Sequence, residues 1–172
     1  DGNYSAQGDG SNDFADIFSD DIRIDQVAPS ITSITRNDSS LSDGDRQGIV
    51  TIEFSEDVHG FTAGDLSGSN MSFSSFDNVG GSGSEFSAVY TVADGVDGST
   101  SITASGYTDL AGNSGSSKSS ASISYDTVNP TVTGISGIPD TLKPGDSGSF
   151  TVSFSENVSG FGTSDITAPN LS

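Results

Sequence analysis

The sequence predicts an all-β chain built from tandem antiparallel β-sandwiches. Three observations support this fold class: apolar residues alternate with polar ones in short runs, Gly- and Asp-rich turn signals separate those runs, and a segment of about one hundred residues is repeated. The chain has 172 residues, which is enough for one domain or two small ones. Several short strands separated by turns in each repeat are typical of a β-sandwich.

The predicted strands follow one another along the first copy of the repeat. Ile31 and Ile34 mark the first strand, which begins after Pro29, and strict alternation marks a second strand at 50–54. Later strands are predicted around 71–76, 86–92, 102–104 and 121–125, and the Gly-rich stretch 79–83 is predicted to be a hairpin turn. Alternation places every second side chain on an inner face. The predicted core consists of Ile31, Val50, Ile52, Phe54, Phe86, Tyr90, Ile102, Ile123 and Tyr125.

The repeat defines the predicted domain organisation. Segment 25–34 (DQVAPSITSI) recurs 101 residues later as 126–135 (DTVNPTVTGI), and 50–61 recurs 100 residues later as 150–161. We predict a complete module at 27–128, the N-terminal part of a second module at 129–172, and the tail of a preceding unit with an acidic linker at 1–26.

The second module is expected to be completed by other strands, because a sandwich needs both of its sheets. The continuing chain is the preferred source of those strands. A neighbouring chain is the alternative source, with a donor segment that carries Phe14, Ile17, Phe18, Ile22 and Ile24.

Composition excludes several classes of function. The chain carries 24 acidic and 5 basic residues, a formal net charge of -19, so it would repel nucleic acids and anionic membrane surfaces. No apolar stretch reaches the roughly 18 residues needed for direct insertion across a bilayer. The absence of cysteine excludes disulfides and thiolate metal sites. A chain rich in Asp is expected instead to use a divalent cation, above all Ca²⁺, as its crosslink.

Three motifs together resemble the bacterial immunoglobulin-like repeats of giant surface adhesins and biofilm proteins. They are residues 54–66 (FSEDVHGFTAGDL), 108–113 (TDLAGN) and 125–130 (YDTVNP), and the resemblance covers 25–172 in one full and one partial copy. It implies immunoglobulin-like sandwiches, located outside the cell or on its surface, that form rods stiffened by calcium at the junctions between modules. Residues 1–20 depart from the pattern.

The leading functional hypothesis is therefore a calcium-stiffened spacer of an extracellular adhesin, whose partners are neighbouring modules and an unidentified adhesive target. The alternative is a subunit of a self-assembling filament or biofilm matrix fibre, joined by strand exchange between chains. A third hypothesis, a carbohydrate- or protein-binding tip, has less support because the chain has no Trp. We predict no enzymatic activity, because the single histidine, His59, is replaced by Ser159 in the repeat and the serines lack a nucleophile motif.

Candidate calcium ligands converge at one end of the module. In a sandwich of this type, the incoming linker, the loop after the second strand and the loop before the last strand meet at one pole, here called the N-terminal pole. Each carries carboxylate or amide oxygens, which calcium prefers. Taken singly, these residues suit turns equally well, but their convergence and recurrence favour a metal site. The predicted ligands are Asp25, Glu56, Asp57, Asp109 and Asn113 at the first junction, and Asp126 and Glu156 at the second.

Four other acidic residues are predicted to act locally. Asp65 and its repeat counterpart Asp165 follow a Gly-Phe turn and are expected to accept a hydrogen bond from a nearby backbone N–H. Asp43 and Asp45 lie in the turn at the opposite, C-terminal pole, where a turn-forming role is expected.

Overall fold

The computed structural model describes residues 25–167, and within this range strands and short 3-10 turns are the regular elements. None of the helical turns in these residues is long and apolar enough to cross a membrane. The predicted all-β class is confirmed. The strands are β1 (Ile31–Arg36), β2 (Ser40–Ser42), β3 (Gln47–Phe54), β4 (Leu66–Ser67), β5 (Met71–Asn78), β6 (Glu85–Val92), β7 (Asp97–Thr100), β8 (Thr103–Ala104), β9 (Lys118–Ser119), β10 (Ile123–Asp126), β11 (Val132–Ser136) and β12 (Thr151–Phe154).

The first ten strands form two facing layers. One layer is an antiparallel four-stranded sheet in the order β1-β3-β6-β5. The other consists of two short three-stranded sheets, β2-β10-β7 and β4-β8-β9. Side chains from all three sheets belong to one buried apolar cluster, so the predicted sandwich is confirmed. Because β1 and β3 are antiparallel, the loop that follows β3 returns to the pole at which the linker reaches β1.

Alternation explains how the core is filled. In β6 every second residue is buried, and all nine residues predicted for the core are buried. The closed aromatic cluster around Phe54 includes Phe61, Phe86 and Tyr107, with ring centroids 4.7–5.8 Å from that of Phe54 in edge-to-face contacts. Seven further apolar residues of the buried cluster are not in the predicted core: Ala88, Val92 and Ala104 continue the alternating runs, whereas Leu41, Phe61, Leu66 and Tyr107 lie outside them.

Two details differ from the predicted antiparallel strand set. Strands β2 and β10 pair in parallel, with Leu41 opposite Tyr125, and β2 forms the edge of this three-stranded sheet. The last strand of the first copy, β10, begins at Ile123, and Ala121, which was predicted to belong to the same alternating run, is exposed.

The described part of the second copy repeats the local geometry of the first. Val132 pairs with Phe154 as Ile31 pairs with Phe54, and the same irregularity in register follows each pair. Its β11–β12 hairpin has an exposed apolar face, with Ile135 at 56 % exposure. The predicted donor side chains between Phe14 and Ile24 lie outside the described residues, and the predicted domain boundaries stay a prediction.

The predicted local roles of Asp65 and Asp165 are confirmed. The Asp65 carboxylate accepts the Thr62 N–H at 2.8 Å, and the Asp165 carboxylate accepts the Gly162 N–H at 2.9 Å. Asp45 lies in a tight turn in which its N–H and C=O both bond to Ser42. The stretch 79–83 joins the antiparallel strands β5 and β6 as predicted.

Candidate metal centre

Three carboxylates from distant parts of the sequence meet at the N-terminal pole. Asp25 belongs to the linker before β1, Glu56 to the loop after β3, and Asp109 to the loop between β8 and β9. One oxygen atom from each lies within 4.8 Å of the other two. Within residues 25–167 this is the one group of three such side chains close enough to share an ion.

Asp109 is held rigidly by its own loop. It is 4 % exposed, and its two carboxylate oxygens accept the backbone N–H of Asn113 at 2.8 Å and the Asn113 side-chain Nδ2–H at 2.7 Å. The Asp109 N–H in turn donates to the Asn113 carbonyl at 3.1 Å, which closes the loop. Gly112 lies in this loop at φ +89°, a conformation that a residue with a Cβ rarely adopts. The DLAGN sequence therefore presents a carboxylate in a fixed position.

The side chain of Asn113 also holds the linker. Its Nδ2 group lies 3.2 Å from the carbonyl oxygen of Asp25 and 3.4 Å from that of Val27. The Asp25 carboxylate accepts the Val27 N–H at 3.0 Å, which forms a local turn. Asn113 thus joins the linker to the Asp109 loop through its amide nitrogen, a positioning role that the sequence did not predict.

The pKa values of Glu56 and Asp109 are shifted in opposite directions. Burial raises the pKa of Glu56, and the negative charges of Asp25, Asp109 and Asp57 raise it further. Burial also acts to raise the pKa of Asp109, but hydrogen bonds from the Asn113 side chain and from the N–H groups of Asn113, Gly112 and Ala111 outweigh it, so this pKa is lowered. Of these two carboxyls, Glu56 is therefore the first to take up a proton.

The other predicted ligands are placed less favourably. Asp57 is exposed, lies against the backbone of Gly83, and is not one of the three carboxylates that converge. In the second linker, the Asp126 carboxylate accepts the Val128 N–H at 3.2 Å, just as Asp25 does in the first. Glu156 follows Ser155, which is hydrogen-bonded to Thr131 as Ser55 is to Ser30. The counterpart of the Asp109 loop would fall beyond residue 172.

His59 lies beside this pole without a catalytic arrangement in the described residues. Its exposed position is fixed by backbone hydrogen bonds in both directions with Thr108, at 2.6 and 3.3 Å. The neighbouring hollow, between His59, Asp57 and Leu110, is open and lined by a Gly-rich loop.

Residues 25–125 match the family model described as a bacterial Ig-like domain. No curated protein sequence matches the chain. Among solved structures, the chain is similar to the N-terminal part of the bacterial S-layer protein SbsC, with 20 % sequence identity and a TM-score of 0.37. The similarity covers 67 % of this chain and 27 % of that one, so the chain spans about a quarter of the length of the structure it matches.

Proposed function

The chain belongs to the family of bacterial Ig-like domains, and on that premise we propose that it is a calcium-stiffened spacer in a bacterial surface or extracellular protein. The family is compatible with that location. One observation carries the proposal: the linker carboxylate of Asp25 meets Glu56 and Asp109 of the module body. A cation bound there would join the linker to the sandwich.

The chemistry of the cluster suits calcium. Three carboxylates offer hard oxygen ligands, and calcium completes its shell of 6–8 oxygens with backbone carbonyls, amide oxygens and water. The carbonyl oxygens of Asp25 and Val27 lie beside the cluster, because both accept hydrogen bonds from Asn113. We expect a dissociation constant of about 10⁻⁴–10⁻³ M, the range of extracellular modules.

Calcium titration calorimetry on the whole chain tests the site. Glu56→Gln and Asp109→Asn should each weaken binding about tenfold or more, because the number of charged ligands sets the affinity. Asp77→Asn is the matched control, since Asp77 carries the same charge at an exposed position of strand β5 and lies outside the cluster. Absence of saturable binding in the wild type would remove the metal site from the proposal.

Small-angle X-ray scattering tests stiffening separately from binding. In chelator, the three carboxylates repel one another, so the linker should move more freely and the distribution of interatomic distances should broaden. Calcium should reverse this change in the wild type and in Asp77→Asn but not in Glu56→Gln. Identical scattering curves with and without bound calcium would contradict a mechanical role.

A second candidate function is supported by the exposed apolar face of the second copy. Val132, Ile135, Phe150 and Phe161 are 43–56 % exposed, and unpaired strands with apolar faces associate with further strands. A filament subunit joined by strand exchange would use this face. Sedimentation velocity over a range of concentrations distinguishes the two functions, since ordered polymers of the native chain favour the filament and a constant sedimentation coefficient favours the spacer.

A further inference from the structure

The linker between the two copies contains an unusual buried polar residue, Thr127. Its exposure is 0 %, and the other buried polar or charged residue in the described part of the chain is Asp109 of the candidate metal centre. Thr127 directly follows β10, at the C-terminal pole and one residue beyond Asp126. Linker residues are usually exposed, so the burial of Thr127 needs an explanation.

Every polar group of Thr127 is hydrogen-bonded to one turn of the first module. Its hydroxyl lies 2.9 Å from the carbonyl oxygen of Ala93 and 3.0 Å from that of Val96, and it accepts the Val96 N–H at 2.9 Å. The Thr127 N–H donates to the Val96 carbonyl at 2.8 Å, and the Thr127 carbonyl accepts the Gly95 N–H at 3.1 Å. Since Val96 packs against the core, this network attaches the linker to the body of the module.

The linker is attached to the second copy almost immediately afterwards. The Thr131 N–H donates to the Ser155 hydroxyl at 3.0 Å, and the Ser155 N–H donates to the Thr131 carbonyl at 2.9 Å. Only residues 128–130 lie between the two attachment points, so the Cα atoms of Thr127 and Thr131 are at most about 14 Å apart. Pro130 fixes its own φ and restricts Asn129 to extended conformations. The Val128 N–H is bonded to Asp126.

We propose that Thr127 is a pin that fixes the linker to the upstream module without a metal ion, which leaves residues 128–130 as the only bending point of this joint. The first linker has the same Asp, Val and Pro positions but carries Gln26 in place of Thr127, and Gln26 is exposed. A linker with Gln at this position lacks the hydroxyl that makes the pin. The proposal rests on the Thr127 contacts and stands whether or not calcium binds at the N-terminal pole.

Amide hydrogen exchange of the whole chain, measured by NMR in chelator, tests the pin directly. The N–H groups of Thr127, Gly95 and Val96 should stay protected in the absence of metal, to a degree comparable with core strand amides such as that of Ile52. The Asn113 N–H, which is bonded to Asp109, serves as the reporter of the metal centre. Free exchange of the Thr127 amide in chelator, with the core still protected, would overturn the proposal without bearing on calcium binding.

Substitutions separate pinning from folding. Thr127→Val keeps the shape but removes the hydroxyl, so the Val96 amide, which donates to that hydroxyl, should exchange about ten- to a hundredfold faster, because its buried partner is lost. Thr127→Ser restores the hydroxyl and should restore protection, and Thr127→Gln reproduces the first linker and should not. Relaxation of the backbone ¹⁵N nuclei of residues 128–129 should report greater motion in Thr127→Val while core amides are unchanged. Equal linker motion in the Val and Ser variants would contradict the pin.

Discussion

Phe54→Ala is expected to destabilise the complete module strongly. Phe54 is 6 % exposed, and its ring lies edge-to-face against Tyr107, Phe61 and Phe86 at 4.7, 5.1 and 5.8 Å. Truncation of a buried Phe costs about 3–5 kcal/mol, and aromatic contacts of about 0.5–1.5 kcal/mol each place this site in the upper part of that range. A loss of about 4 kcal/mol lowers the Tm of a domain of this size by roughly 16–32 °C.

Urea unfolding followed by circular dichroism, at fixed calcium concentration, measures this loss. Phe154→Ala is the matched control, because Phe154 occupies the same repeat position but is only half-buried and contacts one ring, that of Phe161, at 4.9 Å. It should change the free energy of unfolding of the first module by less than about 0.5 kcal/mol. Equal unfolding midpoints for Phe54→Ala and the wild type would refute the position of Phe54 at the centre of the core.

Further outcomes are expected from individual side chains. Calcium affinity should fall as the pH drops through the raised pKa of Glu56, because a proton then competes for that carboxylate while the lowered pKa of Asp109 keeps it ionised. Calorimetry should detect proton release on binding that Glu56→Gln abolishes, and a pH-independent affinity would contradict this assignment. Without metal, the raised pKa of Glu56 makes the folded state more stable as the pH falls through that pKa towards the ordinary pKa of Glu. The lowered pKa of Asp109 has the opposite effect, because its contribution to stability is lost as the pH falls from the ordinary pKa of Asp through the lowered one. Lys118→Met should cost about 1–3 kcal/mol in thermal unfolding, because Lys118 Nζ donates to the carbonyl oxygens of Ile31 at 3.0 Å and Thr32 at 2.7 Å, and Lys118→Arg should lose less. Tyr90→Phe should leave the free energy of unfolding unchanged or increase it, because the buried Tyr90 hydroxyl has no hydrogen-bond partner in the described residues, and a clear loss of stability would reveal one.

The sandwich could be predicted where the sequence alternates and not where strands are short. The run that forms β6 identifies its own buried face without further information. Strands of two residues, such as β9 with Lys118 and Ser119, have no period to detect and are defined only by their partners in space. Tyr107 lies in a loop, and its burial follows from the ring of Phe54 beside it rather than from its sequence neighbours.

The candidate site, too, could be predicted only in part from the sequence. The meeting of Asp25, Glu56 and Asp109 follows from the strand order and direction of an immunoglobulin-like sandwich, the fold that the sequence resembles. The bracing role of Asn113 could not be predicted, since it depends on which atom of the amide faces the linker. The burial of Thr127 could not be predicted either, because a Thr between Asp126 and Pro130 has the composition of an ordinary exposed linker.

The placement of the basic side chains bears on why this pole would need a cation from solution. Arg46 pairs with Asp94 at 3.3 Å, and Arg36 and Lys118 donate to backbone carbonyls. Within residues 25–167 no Lys or Arg forms a salt bridge with Asp25, Glu56 or Asp109. Under the proposed function, the repulsion among these three carboxylates opposes docking of the linker until a divalent ion replaces it with attraction. The Thr127 pin carries no charge, so the second joint would keep part of its stiffness when no ion is bound to the chain.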